Sequence, residues 1–317
     1  MKQGRPPMSV ETAISSYIEY RRAHEAINEV TLEDYGNTVR IVANALKNGN
    51  RNNLPWQINA EDVNWLVHVY YKDKNYKIKT MKGYTFALKA WMEYYDNYTI
   101  KKMRMHWPHD MRPTVKWLTL AQAQKLLNIA LTPMQELVIH LELCLGLRRI
   151  EIARLRLDDV HNEYVDVTGK GSMGGKPRRL PTHPDTERVF ARYLEYRSHL
   201  ITRAKDYSKH PVTIPDELFI WERSGKLSNY ESKSCSGVDR AVIERINHSH
   251  QLSFHIDNHT LRRTFGREMF RSGCPLETLA KMYGHESTSE TLRYISLTMD
   301  DMISGMQKTP FSKNKKR

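Results

Sequence analysis

The stretch His259-Thr260-Leu261-Arg262-Arg263 sets an imidazole and a guanidinium three residues apart, side by side on one face of a helix. Gly284-His285 and Tyr294 add a second imidazole and a phenol further along. Arginine offers a rigid fork of donors that matches a phosphate bidentately, and histidine donates or accepts a proton near neutral pH. Tyrosine can attack and stay covalently attached. Together these side chains suit phosphoryl transfer. The plainer reading is that any one of the 14 histidines is a surface or satisfied core residue.

Three short helices must hold this set. Leu261, Phe265 and Met269 recur every fourth residue and lay an apolar stripe along the first helix, which Gly273 and Pro275 stop. A second helix carries Leu276, Leu279 and Met282 and ends at Gly284, delivering His285. Ser287 with Glu290 is a capping box for a third, with Tyr294 in its second turn.

Composition narrows the partner. The 317 residues suffice for two domains, and 40% hydrophobic content supports packed cores. Lys and Arg number 49 against 36 Asp and Glu, a net charge of +13, which favours a polyanion such as nucleic acid. No apolar run reaches the roughly 18 residues that span a bilayer, and Met1-Lys2-Gln3-Gly4-Arg5 leads into polar sequence, so a cytoplasmic protein with no membrane partner is expected. Cys144, Cys235 and Cys274 are widely spaced and odd in number, which argues against a disulfide framework or a paired-cysteine zinc site.

The chain opens with four amphipathic patterns. Val10, Ile14, Tyr17 and Ile18 share one face from Ser9 to Arg21. Thr31 with Asp34 can cap a second helix bearing Leu32, Tyr35, Val39, Val42 and Leu46. A third begins near Asn59 with Val63, Leu66, Val67 and Tyr70, and a fourth near Thr80 with Met81, Tyr84, Leu88, Trp91 and Tyr95. An all-helical domain over residues 1–95 is expected. Lys77, Lys79 and Lys82 crowd the start of the fourth helix, either as a solvated face or against a DNA backbone. From 96 to 116 the periodicity lapses while Lys101, Lys102 and Arg104 keep the charge positive, which reads as a basic linker.

The second domain is expected over 117–308, with a basic tail from 309 to 317. Thr119 with Gln122, then Thr132-Pro133, cap its first helices. Arg148 lies in Gly146-Leu147-Arg148-Arg149-Ile150-Glu151, at a junction between helices. Tyr164 to Thr168 alternates as a strand, the Gly-rich run 169–175 turns, and Arg178 to Pro181 returns. A helix follows from about Thr186 to Ala204, then a short strand at Leu218 to Trp221, a polar loop through Ser236 and a helix near Val238 to Asn247. Arg263, Arg267 and Arg271 form a row at four-residue spacing, DNA-facing or solvated. Thr298 with Asp301 caps a last helix bearing Met302, Ile303 and Met306.

Arg148 in Gly-Leu-Arg-x-x-Glu, Lys170 in Gly-Lys-Gly on a hairpin, His259-x-x-Arg262, Gly284-His285 and Tyr294 together resemble the ordered active-site set of the tyrosine recombinases, the phage-integrase and Xer-like site-specific DNA recombinases. The resemblance implies a mainly α chain: an N-terminal four-helix core-binding (SAM-like) domain and a mixed α+β catalytic domain with a small antiparallel sheet. It implies Tyr294 as nucleophile, forming a 3′-phosphotyrosyl link to double-stranded DNA without metal, ATP or other cofactor. Arg148 and Arg262 would grip the phosphate, Lys170 would protonate the leaving hydroxyl, His259 would be the acid-base group, and His285 a further donor.

The resemblance also implies a tetramer on DNA at the nucleoid. Glu151 either braces the site or is a surface carboxylate one turn from Arg154. The hairpin is longer than the family's Gly-Lys-Gly-x-Lys, so the lysine is Lys170 or Lys176, and Tyr283 stands where an aliphatic residue is usual, repacking the core without touching the chemistry. A type IB topoisomerase or a noncatalytic DNA-binding protein on the same fold are the alternatives. A metal hydrolase using His255, His259 and His285 lacks the glutamate beside its histidines.

Overall fold

The computed structural model describes residues 8–108, 116–169, 175, 177–230, 236–295, 301 and 303. The chain divides into two compact units, Met1–Pro113 and Thr114–Arg317.

The N-terminal unit is helical throughout. Helix α1 (Val10–His24) is capped by Ser9, and α2 (Glu29–Asn48) by Asn28, whose side chain accepts from the Thr31 N–H. The second helix therefore starts one turn before the Thr31-Asp34 pair read from the sequence, because Asn is as good a cap as Thr and occurs first. Helix α3 (Ala60–Trp65) opens on a reciprocal capping box between Asn59 and Asp62 and runs on through a wider turn, Leu66–Tyr70, into α4 (Tyr71–Asp73). Helix α5 (Ile78–Tyr94) brings Leu88, Trp91 and Met92 against Ile14, Tyr17, Val42 and Leu46, all buried. Trp91 and Tyr95 both donate to the Ala13 carbonyl, so the largest side chain in this core is also polar-satisfied.

The basic stretch after residue 95 is not wholly free of this unit. Helix α6 (Thr99–Lys102) buries Ile100, and Met103, Met105 and Trp107 pack on the same core. The apolar residues there are too few and too irregular to register as a periodicity. Lys101, Lys102 and Arg104 stay exposed, as do Lys77 and Lys79, with Lys82 half-buried. The last three lie at the N-terminal end of α5, where the helix dipole adds to their positive field.

The C-terminal unit begins with α7 (Leu120–Asn128) and α8 (Pro133–Leu143), each opened by its Thr/Gln capping box, then α9 (Arg149–Arg154). Strands β1 (Tyr164–Thr168) and β2 (Pro177–Pro181) pair antiparallel in the register Tyr164↔Pro181 to Thr168↔Pro177. Helix α10 (Thr186–Tyr207) follows, and its buried Arg197 fans onto the carbonyls of Pro215, Glu217 and Leu218. The segment read as one strand and a polar loop is a second hairpin. Its strands β3 (Ile220–Arg223) and β4 (Lys226–Asn229) join at Ser224-Gly225, both at positive φ. β4 carries a single apolar residue, Leu227, so alternation could not reveal it.

Helices α11 (Ser236–Asp239) and α12 (Arg245–His248) flank a wider turn. Then come α13 (Asn258–Arg271), α14 (Leu276–Tyr283) and α15 (Thr288–Ile295). Leu261 packs in the large core and Phe265 in a smaller one with Leu279, Tyr283 and Ile295, so α13 joins the two. The fold is mainly α, as expected, with two small antiparallel sheets among the described residues where one was expected. No helix among the described residues is long and apolar enough to cross a membrane.

Candidate active site

Two arginines far apart in sequence meet on one backbone oxygen. Gly284 ends α14 in the left-handed conformation, at φ +66°, leaving carbonyls of the last turn without helical partners. Arg148 donates to the Tyr283 carbonyl at 3.0 Å through Nη1, and Arg262 donates to it at 2.9 Å through Nη2. Arg262 also donates to the Gly146 carbonyl, at the turn that leads into Arg148.

Glu151 makes this crowding possible. It is 1% exposed, not the surface carboxylate that the sequence left open. Arg178 of β2 binds it with both nitrogens, at 2.9 and 2.8 Å, Arg148 adds a contact at 2.9 Å, and Arg262 Nη1 stands 3.7 Å away. Burial works to raise its pKa, but the hydrogen bonds and charge of Arg178, the Arg262 charge and the Arg148 N–H outweigh it, and the carboxyl is held below its ordinary range. Three guanidiniums around one carboxylate leave an excess of positive charge, which suits an incoming anion.

Arg178, Arg148, Lys281 and His285 line a cleft of about 640 Å³, with Glu286 and Glu290 on its rim. Arg262 lies beneath, 1% exposed, its guanidinium 4.2 Å from the Tyr283 ring centre. Burial and the neighbouring Arg148 charge lower its pKa to about 10, so it stays protonated at neutral pH. Arg262 Nε and His285 Nε2 are buried with no hydrogen-bond partner among the described residues. The Arg262 Nε–H is a buried donor left open, a place where a ligand oxygen gains the most, and His285 Nε2 is a second one when its ring carries the proton there.

His285 stacks on Tyr283, ring centres 5.0 Å apart, and its Nδ1 is 2.9 Å from the Thr291 hydroxyl. Burial, then the charges of Arg262, Arg148 and Arg178, push its pKa down to about 4. The unfolded chain takes up this proton near the usual value of about 6.5, so His285 costs stability as pH falls from there towards its folded value. We expect a nuclear magnetic resonance titration to show the His285 ring neutral down to about pH 5. An inflection near the usual histidine value contradicts this electrostatic picture.

Tyr294 reaches the cluster from α15. Its Oη is 3.1 Å from His259 Nδ1, and its ring is 5.4 Å from His285 and 5.5 Å from Tyr283. Partial burial, then the Arg263 charge, lowers the His259 pKa, leaving that ring neutral near pH 7. His259, Arg262, His285, Arg148 and Tyr294 are thus brought together. Lys170 and Lys176 lie outside the described residues, as do Met302 and Met306.

Two residues were not singled out for the site. Arg178 gives no signal in a hairpin strand beyond its charge. Tyr283, expected not to touch the chemistry, supplies the carbonyl that both arginines share and the ring on which Arg262 and His285 stack. Its phenol fits because α13 has Gly266 opposite, where a Cβ would come within 2.0 Å of Tyr283 Oη. Gly266→Ala should cost about 1–3 kcal/mol by overpacking, read as a lower urea midpoint; an unchanged midpoint means the phenol is free to move.

One member of the arginine row on α13, Arg267, departs from the sequence reading, while Arg271 is exposed. Arg267 is buried, donating to the Ile295 carbonyl at 3.1 Å and Asp301 at 2.8 Å, with its guanidinium 4.0 Å from the Trp117 ring centre. It ties Ile295 and Asp301 to α13, with its guanidinium buried rather than facing outward. Its partners sit at opposite ends of the domain sequence, which spacing on one helix cannot show.

The Phage integrase family profile matches residues 116–300, which is more than half of the chain and takes in the whole cluster just described. The chain belongs to that family, the tyrosine recombinases. Tyrosine recombinase XerC of Oceanobacillus iheyensis is 23% identical over 314 residues, 95% of this chain and 96% of that protein. Tyrosine recombinase XerA of Pyrococcus furiosus is 24% identical over 243 residues, 76% of this chain and 78% of that one. Among solved structures, the Tn1549 transposon integrase in complex with transposon right end DNA shares the fold with a TM-score of 0.63. The two are 18% identical, over 95% of this chain and 99% of that one.

Proposed function

We propose that this protein is a site-specific DNA recombinase that cuts and rejoins double-stranded DNA through a 3′-phosphotyrosyl intermediate on Tyr294. The observation that carries the reading is the 3.1 Å contact between Tyr294 Oη and His259 Nδ1 beside two convergent arginines. The phenol oxygen attacks the scissile phosphorus and gives its proton to the neutral His259 ring. The bond from phosphorus to the 5′ oxygen breaks, and that oxygen takes a proton from Lys170 or Lys176 and leaves as a hydroxyl. Arg148 and Arg262 hold the nonbridging oxygens where negative charge gathers, with His285 Nε2, if its ring carries the proton there, as a third donor.

Glu151 and Arg178 fix the arginine forks. The reverse step, with a 5′-hydroxyl from a second strand, rejoins DNA. The ester stores the bond energy, so no ATP is spent, and the arginines do the charge stabilisation that metals do in other phosphoryl transfers.

The N-terminal unit serves as the core-binding domain, with Lys77, Lys79, Lys82, Lys101, Lys102 and Arg104 against the DNA backbone, and four copies assemble on paired sites. Incubation with nicked suicide DNA, without added metal or ATP, should yield a covalent protein–DNA adduct whose peptide carries Tyr294. Failure to form any adduct on DNA that the protein binds specifically would remove the reading.

A further inference from the structure

Away from the cleft, the C-terminal unit holds a second cluster of chemically able side chains. His140 and Cys144 stand one turn apart at the end of α8, and His183 comes to them from the loop before α10. One donor atom from each lies within 4.8 Å of the others. His140 is 3% exposed, Cys144 is half-buried and His183 is exposed, so the cluster runs from the core to the surface with an open side. The imidazole rings of His140 and His183 sit edge to face, 5.4 Å apart.

We propose that His140, Cys144 and His183 bind a zinc ion. Two imidazoles and a thiolate are borderline-soft ligands, the set that suits Zn²⁺ rather than Mg²⁺ or Ca²⁺. Tetrahedral zinc with bonds of about 2.0 Å to nitrogen and 2.3 Å to sulfur needs donors about 3.3–3.6 Å apart. The exposed His183 has room to close that gap. Thr186 ties the two histidine segments together: its hydroxyl is 2.9 Å from His140 Nε2 and accepts from the His183 N–H at 3.0 Å. His183 Nδ1 accepts from the Asp185 backbone N–H at 3.2 Å, and the Asp185 carboxylate stands 3.7 Å from the same nitrogen.

Cys144 would bind as the thiolate, its proton leaving to solvent as the sulfur–zinc bond forms. The site is distinct from the proposed nucleophile and the cleft, but Cys144 precedes Leu145-Gly146-Leu147-Arg148. A metal there would pin the end of α8 to the start of α10 and steady the turn whose Gly146 carbonyl holds Arg262.

Cobalt(II) reports thiolate and imidazole ligands by its absorption. The full chain, stripped by dialysis against chelator, should bind one Co²⁺ with a sulfur-to-cobalt charge-transfer band that Zn²⁺ removes, and Zn²⁺ should raise its melting temperature. Cys144→Ser should abolish the band, which separates this site from Cys235 and Cys274. His183→Ala, at an exposed position that leaves the core intact, should weaken cobalt binding at least about tenfold, since even an outer-shell loss costs that much. Circular dichroism checks that both variants fold. No charge-transfer band in the parent protein, or a band that survives either substitution unchanged, overturns the proposal; neither outcome bears on the Tyr294 adduct.

Discussion

Tyr294→Phe is expected to abolish the covalent protein–DNA adduct while leaving DNA binding intact. The change removes one oxygen and keeps a ring of the same shape against Tyr283 and His285. Among the described residues the adjoining phenol, Tyr283, cannot take over. Tyr283 is buried, donates its proton to the Arg262 carbonyl at 2.5 Å, and is pushed by burial well above the usual tyrosine pKa. Loss of a nucleophile that acts as part of a unit costs at least about 10⁴-fold in rate, and here the adduct itself is the readout. For the parent protein, the neutral His259 ring accepts the phenol proton, so adduct formation should rise with pH through a value below the usual histidine range and then level off. An adduct of parental yield on the Phe variant would place the nucleophile elsewhere.

How far the sequence foretold this site depends on whether each signal is local. His259 and Arg262 are one helical turn apart, and the stop at Gly284 is a property of its own backbone, so both were legible. Thr119 and Thr132 announce their helices because a capping box lies within four residues. The sharing of one carbonyl by Arg148 and Arg262 depends on how α14 docks on the turn before α9, and no periodicity encodes that. Glu151 is the sharper case. Its local partner is Arg148, three residues away, and the sequence allowed an exposed pair with Arg154 as readily. What buries it is Arg178, from a strand whose pleat aims one charged residue inward. The Arg267 reversal has the same cause, since Trp117 and Asp301 are remote in sequence from α13.

Glu151→Ala should destabilise the C-terminal unit by about 3–5 kcal/mol, because it leaves the buried ends of Arg178 and Arg148, and the nearby Arg262, without their counter-charge. In a unit of this size that is a fall in melting temperature on the order of 10 °C. Glu151→Gln keeps the shape and one acceptor and should fall less. The pH dependence has a definite sign. The folded carboxyl is held below its unfolded value, so its contribution is complete above about pH 4.5 and is lost as pH falls through the folded pKa.

The Gln variant should therefore lose the part of the acid limb that Glu151 supplies. A stabilising role and a positioning role separate by adding an anion. With the carboxylate gone, the arginines hold a larger unbalanced charge, so sulfate or site DNA should raise the melting temperature of Glu151→Gln more than that of the parent. If the variant instead regains stability but its adduct rate stays low, Glu151 orients the arginine forks as well as neutralising them. Equal stability of parent and Gln variant at pH 7 would show that the carboxylate's charge is not what holds the three arginines together.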